Sequence, residues 1–168
     1  MATRPTLPYF APEETLPAPP PTVEDILAST DRISASYETP VYRVHDHFAV
    51  KYGKSAGALL QEGENMLFVE QSTSLLRIPK VYAVFSDKAT ENDFIVQEYI
   101  SGQQLTSAWR NLTATQKAAI TSQLRPGLDE LRSIPSPGYY GGIWRQPTRD
   151  YTFGDRGKVL EPHRDITI

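Results

Sequence analysis

Two runs of β-branched and aromatic residues, Val41 to Tyr52 and Val81 to Tyr99, lie either side of a helical stretch, and their order constrains the fold more than any other feature. The first run is broken by His45-Asp46-His47 and the second across the polar residues 86 to 92, so each reads as two strands joined by a turn. Between them Ser55 can cap a helix that runs to about Gln71. The order is therefore strand, strand, helix, strand, strand.

The flanks are of different character. Seven of the 14 prolines fall within residues 5 to 21 and end in Pro19-Pro20-Pro21, a density that blocks helix and central strand alike. Residues 1–21 are expected to form a disordered, Pro-rich tail, with the folded domain starting at Thr22, which can cap a short helix beginning Val23-Glu24-Asp25. After Ser101-Gly102 the pattern becomes helical. Thr113 and Gln116 have capping-box spacing, and Ile120, Leu124, Leu128 and Leu131 repeat at helical intervals. Pro126-Gly127 should kink or split that helix. Past Pro135 the chain is rich in turn signals, and no apolar periodicity follows Phe153.

Composition excludes several function classes. The net charge is −3 and the basic residues form no run, so neither nucleic acid nor an anionic membrane surface is an expected partner. With no cysteine there is no disulfide framework, thiolate nucleophile or cysteine-ligated zinc. No window approaches the roughly 18 apolar residues of a membrane span, and the first twenty residues lack the apolar core of a secretory signal, so a cytoplasmic protein is expected.

The residues that carry chemistry are Phe48-Ala49-Val50-Lys51-Tyr52-Gly53 and, eleven residues after the lysine, Glu62. Alternation along a strand puts Ala49 and Lys51 on one face, where a small residue beside an ammonium leaves room for something flat and polyanionic. On the following helix Leu59, Gly63, Met66 and Leu67 set an apolar face; at about 100° per residue Glu62 falls inside that arc and Glu64 outside it. An inward carboxylate needs a cation, and Lys51 is the nearest on the strand. The competing reading makes both residues ordinary amphipathic positions at the edge of a lobe. His45, Asp46 and His47 could be taken for a metal cluster, but nothing further in sequence completes a site, and an exposed turn is the expectation. Trp109 and Trp144 are expected to pack, and Tyr139-Tyr140 beside Gly141-Gly142 to anchor a loop or stack on a substrate.

A longer ordered series adds to this pair. Tyr52-Gly53, Glu62 to Val69, Ile78-Pro79-Lys80-Val81-Tyr82-Ala83, Ile95 to Gly102 followed by Leu105 and Trp109, and Leu131-Arg132-Ser133-Ile134-Pro135 resemble the fungal branch of the aminoglycoside phosphotransferase family, over about residues 40 to 153. The resemblance implies an α+β protein with a protein-kinase-like small lobe, an antiparallel sheet with one packed helix, over residues 22–100. The first helices of a large lobe would occupy 101–153, and an irregular tail 154–168. It implies ATP as ligand, with Mg2+, and nucleotide contacts from Lys51, Glu62 and Ala49 and from a hinge at Glu98, Tyr99 and Ile100, where backbone groups would meet the adenine edge.

The chain also departs from that pattern. Phosphoryl transfer of this kind uses an aspartate, an asparagine five residues on and a further aspartate for magnesium. His163-Arg164-Asp165 resembles the first triplet, but the asparagine would fall past Ile168, so Asp165 is a poor stand-in and no catalytic or metal residue is assigned. No glycine-rich loop is present, the available turns being Ser34-Ala35-Ser36 and 45–47. The expected function is a truncated, ATP-binding lobe, inactive as a lone chain. The alternatives are a pseudokinase-like interaction module and an active small-molecule kinase completed by a corrected gene model or partner chain. The helix of residues 113–134 should expose an apolar face and promote self-association or engage a protein partner.

Overall fold

The structure, a computed structural model, describes residues 2–34, 39–136, 138–139 and 141–147. Both hairpins form where the residue pattern puts them. β2 (Val41–Val44) and β3 (Phe48–Gly53) pair antiparallel about residues 45–47, which are exposed, with His45 at a φ of 52°. β4 (Val81–Asp87) and β5 (Asn92–Glu98) form the second hairpin, and β5 lies against β3 with Val50 opposite Val96 and Lys51 opposite Ile95. The described chain is thus α+β, built on a five-stranded antiparallel sheet that β1 (Tyr9–Phe10) completes, in the order β1-β4-β5-β3-β2.

The fifth strand comes from the proline-rich segment. Residues 1–21 were expected to be a disordered tail, but Tyr9–Phe10 form β1 at the edge of the sheet beside β4, and the Ala11 N–H donates to Tyr82 O at 2.8 Å. Pro8 and Pro12 flank the strand and leave the donors of residues 9 to 11 intact, and an edge strand pairs on one side only. Between the prolines stand Leu7, Tyr9, Ala11, Leu16 and Ala18, all of which pack against the core. Extended, proline-stiffened chain can cover apolar surface without forming hydrogen bonds of its own.

Strand alternation divides the core into two layers. Phe48, Val50, Phe94, Val96 and Ala83 point to one face, beneath Ala11, Leu16, Ala18, Val23 and Ile26. Val23 and Ile26 belong to α1 (Val23–Ala28), whose Thr22 and Asp25 exchange side-chain and backbone bonds in a full capping box. Within this layer the ring of Phe94 stacks on Phe85 at 4.9 Å and on Tyr52 at 5.5 Å between centroids. The opposite face presents Val81, Val84 and Ile95, and α2 (Ala58–Ser72) packs there through Leu59, Gly63 and Leu67. Gly63 is required by closeness of approach: a Cβ would stand 2.6 Å from Val84 Cγ2.

Beyond the sheet, α3 (Leu105–Ala108) leads to α4 (Ala114–Ser133). The Thr113–Gln116 capping box forms as its spacing predicts, with Thr113 N–H donating to Gln116 Oε1 at 2.9 Å and Gln116 N–H to Thr113 Oγ1 at 3.3 Å. Pro126 does not split α4, which runs on to Ser133. Gly127 is its buried residue, and a Cβ there would lie 3.0 Å from Leu76 Cα. Leu124 and Leu128 are exposed, as expected of this helix. Trp109, expected to pack, is also exposed, with the Lys117 ammonium 5.4 Å from its ring centre.

Glu130 ties α4 to the segment that follows α2. Its Oε1 accepts from Ser74 N and Oγ, both at 2.8 Å, and its Oε2 from Leu75 N at 2.7 Å and Leu76 N at 3.2 Å. These donors, the Ser74 N–H foremost, hold the carboxyl below the usual glutamate range. A carboxyl acidified by folding stabilises the protein above its unfolded pKa, about 4.3, and ceases to as pH falls through the lower folded value. Glu130→Gln is therefore expected to melt below the wild type at neutral pH, with the gap in Tm narrowing as the buffer is acidified. A gap independent of pH would contradict this role.

The chain divides into two compact units with the boundary between Arg132 and Ser133. In the second unit the Tyr139 hydroxyl accepts from Arg145 N–H at 2.8 Å and donates to Gly142 O at 3.2 Å, so Tyr139 closes a loop. Tyr140 and the whole of 154–168 lie outside the described residues.

Candidate functional site

Because Phe48 and Val50 are drawn into the first core layer, Ala49 and Lys51 must face the α2 side of the sheet. Helix α2 starts from Gly57 and places Glu62 opposite Lys51. The Lys51 Nζ lies 2.7 Å from Glu62 Oε2 and 2.8 Å from Oε1, so the ammonium bridges both carboxylate oxygens. Their side chains are 21 % and 44 % exposed. A pair this open to water adds little to stability, on the order of 1 kcal/mol or less, so what it fixes is position.

The expected burial of the two α2 carboxylates is reversed. Glu62 lies at the border of the buried ridge, whereas Glu64, placed outside the apolar arc by its spacing, has a side chain only 4 % exposed. The ridge is centred on Gly63 rather than on Glu62, because the amino-terminal segment covers the second flank of α2. Arg4 from that segment meets Glu64 through Nε at 2.8 Å and Nη2 at 3.4 Å. No spacing rule links residues 60 positions apart, so this pair could not be read from the residue pattern.

A second carboxylate sets the start of α2. Asp93 on β5 is buried and accepts from Ser55 Oγ, from Gly57 N–H at 3.1 Å and from Ser86 Oγ at 2.6 Å. Ser55, expected to cap the helix, stands two residues before the actual N-cap, Gly57, and its Oγ accepts from Leu59 N–H at 3.1 Å while donating to Asp93. The loop between β3 and α2, with Ala56 at φ 48° and Gly57 at φ 83°, is thereby pinned to β5.

At the other end of β5 lie Glu98, Tyr99 and Ile100. The Glu98 N–H is bound to Lys80 O at 2.8 Å and the Tyr99 N–H to His47 O at 2.9 Å, so neither amide is spare for a ligand. The Arg43 guanidinium sits 4.6 Å from the centre of the Tyr99 ring and pairs with Asp46 at 2.8 Å. Ile100 is exposed, and Gly102, two residues on, adopts φ 148°, where a side chain would be strained. Ala49, expected to leave an open shelf beside Lys51, is 4 % exposed, so the shelf is closed over that residue.

A cavity of about 420 Å3 opens between the end of α2, the segment before β4 and residues 98–100, lined in part by Glu70, Thr73, Arg77, Lys80, Glu98 and Ile100. It includes neither Lys51 nor Glu62, and its charges of both signs single out no ligand; the site is better defined by the strand–helix ion pair. Among the described residues no three metal-ligating side chains cluster, and the turn 45–47 makes no such group. Asp165, and Ala35 and Ser36 of the first turn, lie outside the described residues. Compared with known proteins, the chain matches no family model and no curated protein.

Proposed function

We propose that the chain binds ATP through a kinase-like small lobe of aminoglycoside phosphotransferase ancestry, with Lys51 holding the phosphates and Glu62 holding Lys51. One observation carries the reading: the ammonium engaged by both oxygens of Glu62 across a strand and a helix. Lysine has three donors; two are committed to Glu62, and the third remains for an anion at the exposed edge of the pair. With the amides of Glu98 and Tyr99 spent, the adenine edge would meet the Ile100 N–H and neighbouring carbonyls. We assign no ligand to magnesium and no catalytic role to Asp165, and confine the proposal to nucleotide binding.

A thermal-shift titration tests it. Saturating Mg-ATP should raise the Tm of the wild type, since ligand at about 100 times Kd adds about 2.7 kcal/mol. Lys51→Ala should abolish the shift, and Lys54→Ala, which alters only an exposed pair with Glu91, should retain it. Absence of a shift in the wild type overturns nucleotide binding, and an equal shift in Lys51→Ala overturns the role of Lys51.

A further inference from the structure

We propose that the amino-terminal arm, residues 2–11, is a strap that holds α2 at the angle where Glu62 meets Lys51, and that Arg4–Glu64 is its latch. Its bearing on nucleotide affinity rests on the ATP-binding reading; its bearing on α2 does not.

Around the helix at 100° per residue, Leu59, Gly63 and Leu67 form the ridge against the sheet, Glu62 lies on one side of it, and Glu64 and Gln71 on the other. Each side is tied to a different element. Glu62 is held by Lys51 of β3. Glu64 is held by Arg4, and Gln71 Oε1 accepts from Thr3 N–H at 3.0 Å. Leu7 and Tyr9 of the same arm pack against the cluster of Leu67, Val81 and Val84, and β1 pairs with β4. A helix gripped on one side only can roll about its ridge; gripped on both, it cannot roll without breaking an ion pair. The latch is unequal in exposure. Glu64 is buried, so losing Arg4 takes a charge-assisted contact from a carboxylate that is largely out of water, a change that favours movement of the helix. The Arg4 side chain is 52 % exposed and can be reached without unfolding the sheet.

Arg4→Glu and the conservative Arg4→Lys test the strap without nucleotide. Native-state hydrogen exchange should show the α2 amides of Arg4→Glu losing protection about tenfold, with β3 and β5 changing less than about twofold. Acylation of Lys51 by an amine-reactive ester should rise to the level seen in Glu62→Gln, while Lys54 and Lys88 stay as in the wild type. Arg4→Lys should restore most of both signals. Unchanged α2 exchange, parallel loss across the whole sheet, or unchanged Lys51 labelling each overturn the strap. A wild type that binds no Mg-ATP would sink the nucleotide reading yet leave these readouts standing, so the two failures are distinguishable.

Discussion

Phe94→Ala is expected to lower the stability of the protein by about 3–5 kcal/mol, read as a fall in the denaturant midpoint at constant slope. Phe94 is fully buried and stacks on both Tyr52 of β3 and Phe85 of β4, so one ring joins three strands on the face that the amino-terminal segment covers. Removing it takes away transfer energy and leaves a cavity that rings held on neighbouring strands cannot close. Against a typical domain stability of about 5–15 kcal/mol this approaches complete loss. Phe94→Leu, which keeps much of the volume, should cost markedly less. If Phe94→Ala cost under about 1 kcal/mol, the layer would not be the close-packed core described here.

Gly63→Ala should also destabilise, by about 1–3 kcal/mol, although helix propensity alone predicts a gain of about 1 kcal/mol. The sign decides which effect wins. The new Cβ would lie 2.6 and 2.8 Å from the two γ carbons of Val84 and 3.3 Å from its Cβ. Because all three carbons crowd the position and valine is stiff at χ1, rotation of Val84 cannot clear it, and α2 must move off the sheet. Val84→Ala in the same background should recover part of the loss, giving a favourable coupling of about 1 kcal/mol or more in a double-mutant cycle. Gly63→Val should be worse than Gly63→Ala. A stabilised Gly63→Ala would mean that α2 does not approach β4 as closely as described.

These two positions show how far the residues can be read. The period-2 runs at 41–52 and 81–99 were enough to place four strands and their turns, because alternation and turn chemistry are local. The cap at Thr22 and the Thr113–Gln116 capping box were legible for the same reason. Proline density misled, since a proline removes a donor only at its own position, and Leu7, Tyr9 and Ala11 between prolines still had a sheet edge and a core to join. Pro126 did not split its helix, which runs through it to Ser133. At the candidate site the Lys51–Glu62 pair was foreseen from a strand and the helix behind it. Glu64 was misjudged because the arc of a helix was drawn from its own residues, without the arm that covers its other flank.

By itself the sequence determined the local order of elements and the caps at Thr22 and Thr113, which depend on residues a few positions apart, and it pointed to Lys51 with Glu62 eleven residues on. Only the tertiary structure decided that the arm completes the sheet, that Arg4 neutralises Glu64 across 60 positions, that Asp93 pins the start of α2 and that Glu130 holds residues 74–76. The physical reason is the same in each case. A buried carboxylate is stable only with partners, and which partner arrives is set by how the chain returns through space rather than by its spacing along the chain.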